Sequence, residues 1–207
     1  MTSHNKNSTD TISTSHNINN LEKFYAGWSN SYDKDVINCK YVGPATIVSI
    51  LTKKFKINGS RIIDIGCGTG LISEYLDKHR YQIEVDGLDF SNEMLDISRQ
   101  RNYYTNLFQK DVYTINTDTK FKYDFGISVG MFTHNHVEPR AIKNILNYIV
   151  NEGVFIFTVR DSYCIDKDFS NYIASLKREN IISDFEVHES MQYIDGENCY
   201  IYIIYKV

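Results

Sequence analysis

The chain has 207 residues, a length that fits one domain able to bury a sizeable core. Apolar residues make up 42% and charged residues 23%, which excludes a disordered or low-complexity chain. A net charge of −4 argues against nucleic acid as the main partner, because such proteins usually carry a basic face.

Residues 1–20 are dominated by Ser, Thr and Asn and read as a flexible tail, too poor in apolar surface to offset the entropy of ordering. A single domain is expected over 21–207, its first part, 21–57, forming a helical lid and a first helix. Residues 21–39 read as short helical pieces carrying Phe24, Tyr25, Trp28 and Tyr32. Gly43-Pro44 opens a helix, where proline suits the first turn, and Asn58-Gly59 closes it. Arg61–Ile65 is a β-branched strand, followed by a helix over Leu71–Lys78 and a second strand over Ile83–Phe90. Ser91 caps the next helix, with Glu93 and Asp96 near its positive end. Strands follow at Leu107–Val112 and Tyr123–Val129. Pro139 begins a helix running through Ile142, Ile145, Leu146 and Ile149. Asn151-Glu152-Gly153 is a turn before a fifth strand, Val154–Val159, and Phe169, Tyr172, Ile173 and Leu176 mark another helix. Phe185–Ile194 and Cys199–Val207 read as strands joined at Asp195-Gly196, a hairpin signal. This alternation predicts an α/β fold: a seven-stranded, mostly parallel sheet with helices on both faces and an antiparallel C-terminal hairpin strand.

Cys39, Cys67, Cys164 and Cys199 are far apart and form no CxxC pair. That spacing speaks against a zinc site or disulfide framework and for a reducing compartment. No stretch has the length of a membrane span and no apolar signal core opens the chain, so a cytoplasmic protein without membrane partners is expected.

The strongest signal is Asp64-Ile65-Gly66-Cys67-Gly68-Thr69-Gly70, placed after a predicted strand and before a predicted helix. Glycines there let the backbone turn tightly and approach a ligand. A dinucleotide loop reads GxGxxG, whereas this one reads GxGxG, with Leu71 at the third glycine position. An acid before the loop suits a ligand carrying an ammonium more than one carrying phosphate. Asp89 ends the second strand, where a carboxylate can accept both hydroxyls of a ribose, and Asp111 ends the third. Asp111 can accept from an adenine amino group while the Val112 N–H meets a ring nitrogen; Phe90 and Met94 can cover the ring faces.

Asp64–Gly70 resembles motif I of class I S-adenosylmethionine-dependent methyltransferases, and Gly87–Leu95 their following segment. The resemblance implies a Rossmann-like class I methyltransferase fold, S-adenosylmethionine as cofactor and S-adenosylhomocysteine as product. It implies that Gly66 and Gly68 line the cofactor, Asp89 holds its ribose and Asp111-Val112 its adenine, with Cys67 and Gly130 completing that set. A narrower resemblance is carried by Trp28, Tyr32-Asp33, Tyr41–Pro44, Phe132–Val137 and Phe157–Arg160. These look like the methyltransferase-like protein of the Williams–Beuren syndrome region and its bacterial relatives. Asn151-Glu152-Gly153 departs from the Pro-Gly-Gly turn frequent in such enzymes.

Methyl transfer requires a base only when the acceptor is protonated, and His134 and His136, following the fourth strand, are the candidates. Arg160, ending the fifth strand, can bind an acceptor carboxylate. Tyr25 and Tyr32 are expected to close over the cofactor. The two prolines, Pro44 and Pro139, exclude an Asn/Asp-Pro-Pro-Tyr motif and a Pro-Cys nucleophile. With the acidic balance this favours a small-molecule acceptor, no metal, and a monomer or homodimer. The alternatives are a methyltransferase acting on protein or RNA, a nicotinamide-dependent oxidoreductase on a similar fold, and a non-catalytic module that binds the cofactor.

Overall fold

In the computed structural model, which describes residues 27–28, 31–114 and 121–207, seven strands share one sheet. They are β1 (Arg61–Ile65), β2 (Glu84–Asp89), β3 (Leu107–Gln109), β4 (Tyr123–Phe132), β5 (Ile149–Arg160), β6 (Ile182–Ile194) and β7 (Glu197–Lys206), in the order β3-β2-β1-β4-β5-β7-β6. Strands β1 to β5 pair in parallel, and β7 runs antiparallel between β5 and β6. The helices are α1 (31–38), α2 (Gly43–Lys54), α3 (Lys78–Tyr81), α4 (Asn92–Gln100), α5 (Ala141–Ile145), α6 (Asp161–Asp166) and α7 (Phe169–Arg178).

Successive side chains of a strand face opposite sides of a sheet. Ile62 and Ile63 illustrate this: both are fully buried, each in a different core. One core packs Ile63, Ile65, Phe155 and Phe157 with Ile142 and Ile145 of α5 and with Phe169, Ile173 and Leu176 of α7. The other packs Ile62, Val85, Ile127 and Ile156 with Ile47, Val48 and Leu51 of α2. Both faces are covered, as a parallel sheet requires. Strand order reverses between β1 and β4, so a crevice opens at their carboxyl ends, where ligands of such sheets sit.

Several local expectations are corrected. The helix over Leu71–Lys78 is instead a 3-10 turn, Leu71–Glu74, followed by α3. Asp77 breaks the run: its carboxylate accepts from the His79 and Arg80 N–H groups, and an acid that caps a new helix start is worth more than one inside a helix. The third strand stops at Gln109, so Asp111 does not end it but sits in the turn beyond, its Oδ1 accepting from Tyr113 N at 2.9 Å. The helix begun at Pro139 is short, because α5 passes into a 3-10 turn, Leu146–Tyr148, and Ile149 already belongs to β5. The expected turn at 151–153 is an irregularity within β5: pairing moves from Tyr123↔Ile149 to Phe125↔Val154, with Glu152 at φ 63°. Strand β4 runs three residues past its expected end at Val129. The tail over 1–20 and Tyr25 lie outside the described residues. Among the described residues no helix is long and apolar enough to cross a membrane.

Candidate functional site

The end of β1 delivers Asp64 and then the glycine loop to the crevice. The Gly66 and Cys67 N–H groups both donate to Leu88 O, at 2.7 and 3.0 Å, stitching the loop to β2. The next N–H, of Gly68, donates to Asp89 Oδ2 at 2.8 Å, and Ser91 N donates to Asp89 Oδ1 at 2.9 Å. One buried carboxylate thus fixes both the loop and the start of α4. Gly68 adopts φ 54°, a left-handed conformation that glycine accepts readily, and a Cβ built there meets no described atom within 4 Å. Gly68 therefore faces space free of described atoms, whereas Gly66 and Gly70 pack against Met131 and Ser98. The Cys67 side chain is buried, its Sγ 2.9 Å from where a Cβ on Gly87 would stand.

Both carboxylates are buried. Burial pushes Asp64 up to about 7, with the Asp89 charge adding to the rise, although the Tyr104 hydroxyl donates to Asp64 Oδ2 at 2.6 Å and opposes it. Burial also raises Asp89, against the lowering pull of its backbone N–H donors, Ser91 first and Gly68 next.

Helix α1 leans over this region. Tyr32 is raised well above the usual phenol range by burial, and then by the charges of Tyr193, Asp89 and Asp33. It therefore stands near both the β2 carboxylate and the C-terminal hairpin. Its ring packs edge-on against Trp28 at 4.7 Å.

Across the crevice, Gly130 has φ 88° at an irregularity in β4, and its N–H donates to Thr158 Oγ1 at 2.9 Å. A Cβ there would lie 2.9 Å from the Tyr193 hydroxyl and 3.1 Å from that of Tyr41. Those two phenol oxygens are 3.3 Å apart, and burial pushes Tyr193 up to about 12. Arg160 ends β5 with Nη2 2.5 Å from Glu197 Oε2, Nη1 donating to Thr133 Oγ1 at 3.4 Å, and its cation over the Tyr193 ring at 6.0 Å. His136 is half-buried beside it; burial first, and the Arg160 charge second, depress it to about 4. His134 points elsewhere: it is exposed, its Nε2 3.2 Å from Ser162 Oγ of α6 and its ring edge-on to Tyr163 at 5.2 Å. The backbone brings Val42 N to Tyr193 O at 3.0 Å and Asp195 N to Cys39 O at 2.8 Å, clasping the hairpin tip to the α1–α2 connection.

Beyond β3, Asp111 is half-buried and Val112 is buried in the α5-side core, its carbonyl accepting from Asn144 Nδ2 at 3.2 Å. Phe90 is half-buried and Met94 is buried.

The sheet thus gathers Asp64, Gly66, Gly68, Asp89 and Tyr32 on one side of the crevice and Gly130, His136 and Arg160 on the other. It adds Asp33, Tyr41, Thr69, Arg101 and Tyr193, none of which sequence reasoning assigned to the site individually. Tyr41 and Asp33 do lie in the segments carrying the narrower resemblance; Arg101 and Tyr193 bear no local signal.

Residues 62–153 match the family model described as a methyltransferase domain. The chain is 26% identical over 141 residues to a malonyl-[acyl-carrier protein] O-methyltransferase of Bacillus cereus, covering 67% of this chain and 51% of that protein. It is 25% identical over 130 residues to a ubiquinone biosynthesis O-methyltransferase of Coxiella burnetii, covering 61% and 52%. The chain spans about half the length of these curated relatives. Among solved structures, the plantazolicin methyltransferase BpumL in complex with SAH shares the fold, with TM-score 0.59 and 18% identity, over 92% of this chain and 98% of that one. Residues 62–153 are thus similar to a methyltransferase domain, and they lie on the expected Rossmann-like sheet.

Proposed function

We propose that this chain is a class I S-adenosylmethionine-dependent methyltransferase domain and transfers a methyl group from that cofactor to a small-molecule acceptor by in-line displacement. The observation that carries the reading is the Gly68–Asp89 bond: one buried carboxylate at the end of β2, where a ribose would be held, also orders a glycine loop whose Gly68 faces open space. Asp64 suits the cofactor's ammonium, since a carboxyl held near 7 by burial gains from a cation beside it. Gly66 and the Cys67 backbone line the amino-acid end, and Phe90, Met94, Asp111 and the Val112 N–H border the adenine. When bound, the cofactor supplies an electrophilic sulfonium methyl, and the chain supplies orientation and water exclusion.

On the acceptor side, Tyr41, Tyr193, His136 and Arg160 form the wall, with Gly130 between that wall and the cofactor. His136, depressed to about 4, is neutral through the physiological range; it is a weak base, suited to taking the proton that an acceptor hydroxyl loses as the methyl is transferred and not to deprotonating a resting ammonium. Arg160, already paired with Glu197, orients an acceptor oxygen or carboxylate by exchanging part of that pairing. His134 is turned towards α6 and away from this wall. Tyr32 closes the cofactor side. The names of the curated relatives, a malonyl-[acyl-carrier protein] O-methyltransferase and a ubiquinone biosynthesis O-methyltransferase, support O-methylation of a small or carrier-linked acceptor. The test is calorimetric titration with S-adenosylmethionine, S-adenosylhomocysteine and NAD, beside Asp89→Ala. Micromolar binding of the first two, lost in the variant, is expected; preference for NAD or no binding overturns the reading.

A further inference from the structure

Helix α1 has little apolar attachment. Of its residues Val36 is buried, whereas Ile37 is 61% exposed and Ser31, Lys34 and Asn38 are exposed as well. Segments with few buried contacts open at low free-energy cost. Beside buried Val36 and the Tyr32 ring, one polar cluster among the described residues ties α1 to the glycine loop. Thr69 Oγ1 donates to Asp33 Oδ1 at 2.5 Å, and Arg101 Nη2 donates to Asp33 Oδ2 at 2.5 Å. The same guanidinium donates through Nε to Thr69 O at 2.8 Å and through Nη1 to Glu74 Oε1 at 2.9 Å. Arg101 therefore joins the lid helix, the glycine loop and the 3-10 turn after it. Thr69 follows Gly68, whose N–H holds Asp89, and Asp33 follows Tyr32.

We propose that Asp33, Thr69 and Arg101 are positioning residues that latch Tyr32 over the cofactor and set the rate at which cofactor and product leave. This rests on the cofactor reading above. The lid piece is stiff enough to be moved as a unit. Trp28 Nε1 donates to Asp35 Oδ2 at 2.8 Å, Ser31 Oγ donates to the same oxygen at 2.9 Å, and Trp28 packs on Tyr32. The latch is also reachable by water and salt, with Arg101 and Asp33 side chains 21% and 32% exposed. An ion pair of that exposure weakens as the screening length shortens. Breaking it frees α1, uncovers the loop and relaxes Thr69, so escape of a bound molecule and opening of the lid are one event.

Trp28 is the only tryptophan in the sequence, so its fluorescence reports the lid directly. The experiment is stopped-flow fluorescence with S-adenosylhomocysteine on the full chain, with calorimetry and melting temperature alongside. Asp33→Asn and Thr69→Val each remove one arm of the latch; Thr69→Val keeps every charge and carries the test if Asp33→Asn does not fold. Asp96→Asn, an exposed acid paired with Arg99, is the control. The expected result is a dissociation rate raised about tenfold in both latch variants, the loss of one charge-assisted hydrogen bond, with association and melting temperature little changed. The wild-type rate rises between about 0.05 and 0.5 M salt, and that rise is blunted in Asp33→Asn. Unchanged dissociation in both variants, or binding seen by calorimetry with no change in Trp28 emission, overturns the latch while leaving the cofactor reading intact. Wild-type protein that binds no S-adenosylhomocysteine overturns the cofactor reading, and the latch with it.

Discussion

Gly68 N and Asp89 Oδ2, 2.8 Å apart, join the glycine loop and the second strand into one unit. The loop's shape thus depends on a side chain 21 positions away, and damage to Asp89 is expected to act twice: it removes the proposed ribose acceptor and loosens the glycine loop.

Asp89→Asn is therefore expected to weaken S-adenosylhomocysteine binding by at least about a hundredfold, roughly 3 kcal/mol. The amide must turn one N–H towards a backbone N–H, of Gly68 or of Ser91, which leaves a buried donor unpaired. Calorimetry on the variant, with circular dichroism to show that the fold is kept, reads this directly.

Asp64 gives a pH signature. Its carboxyl titrates near 7 in the folded protein and near 3.8 when unfolded, so between those values the folded state holds a proton that the unfolded chain has lost. Stability from this group is accordingly highest below the unfolded value and falls as pH rises towards 7, at up to about 1.4 kcal/mol per pH unit. Urea denaturation of cofactor-free protein at pH 5 and 8 should show that fall in the wild type and a smaller one in Asp64→Asn. An ammonium placed beside Asp64 favours its ionised form, so cofactor binding below pH 7 should release close to one proton. Binding heats that do not vary with the buffer's ionisation enthalpy would falsify this.

His136 predicts the opposite slope. Its folded value, about 4, lies below the 6.5 of an unperturbed ring. The folded state thus resists a proton that the unfolded chain takes up, and stability is lost as pH falls from 6.5 towards 4. As a base it stays neutral, so kcat should show no acid limb between pH 5 and 7, and His136→Gln should lower kcat by about 10² or more with cofactor affinity unchanged. A limb near 6.5 that disappears in the variant would mean that the ring charges in the working complex.

Gly130→Ala tests the tyrosine wall. The added Cβ meets the Tyr193 and Tyr41 hydroxyls at 2.9 and 3.1 Å on a backbone at φ 88°. A stability loss of about 1–3 kcal/mol is expected. Acceptor turnover should fall more than cofactor affinity, because the pair stands on the proposed acceptor side. The two effects are separated by melting temperature and by KM measured for each substrate.

The contiguous half of this site was legible because its chemistry is local. Asp64 to Gly70 is a single strand-to-loop transition, and Asp89 ends the next strand, so pattern and spacing sufficed. Asp33, Thr69 and Arg101 escaped because their meeting depends on how α1 packs, and nothing near any one of them signals the other two. His134 and His136 looked equivalent in a loop; only side-chain direction separates them, one towards Ser162 and one towards Arg160. The helix expected over Leu71–Lys78 failed because Asp77 competed successfully for the backbone N–H groups after it. Asp111 lies beyond the strand, which ends at Gln109, because alternation alone does not show where pairing with β2 stops.

Tyr41 and Tyr193 meet across 152 positions of chain, and backbone bonds from Val42 and Asp195 rivet the hairpin tip to the α1–α2 connection beside them. The proposed acceptor wall is thus built from segments that β1, β2 and β3 never touch in sequence. Lengthening or resculpting the turn at Asp195-Gly196 would reshape that wall without disturbing Asp64, Gly68 or Asp89. The domain is modular in this sense: one half can stay constant for a shared cofactor while a single hairpin is retuned for a different acceptor.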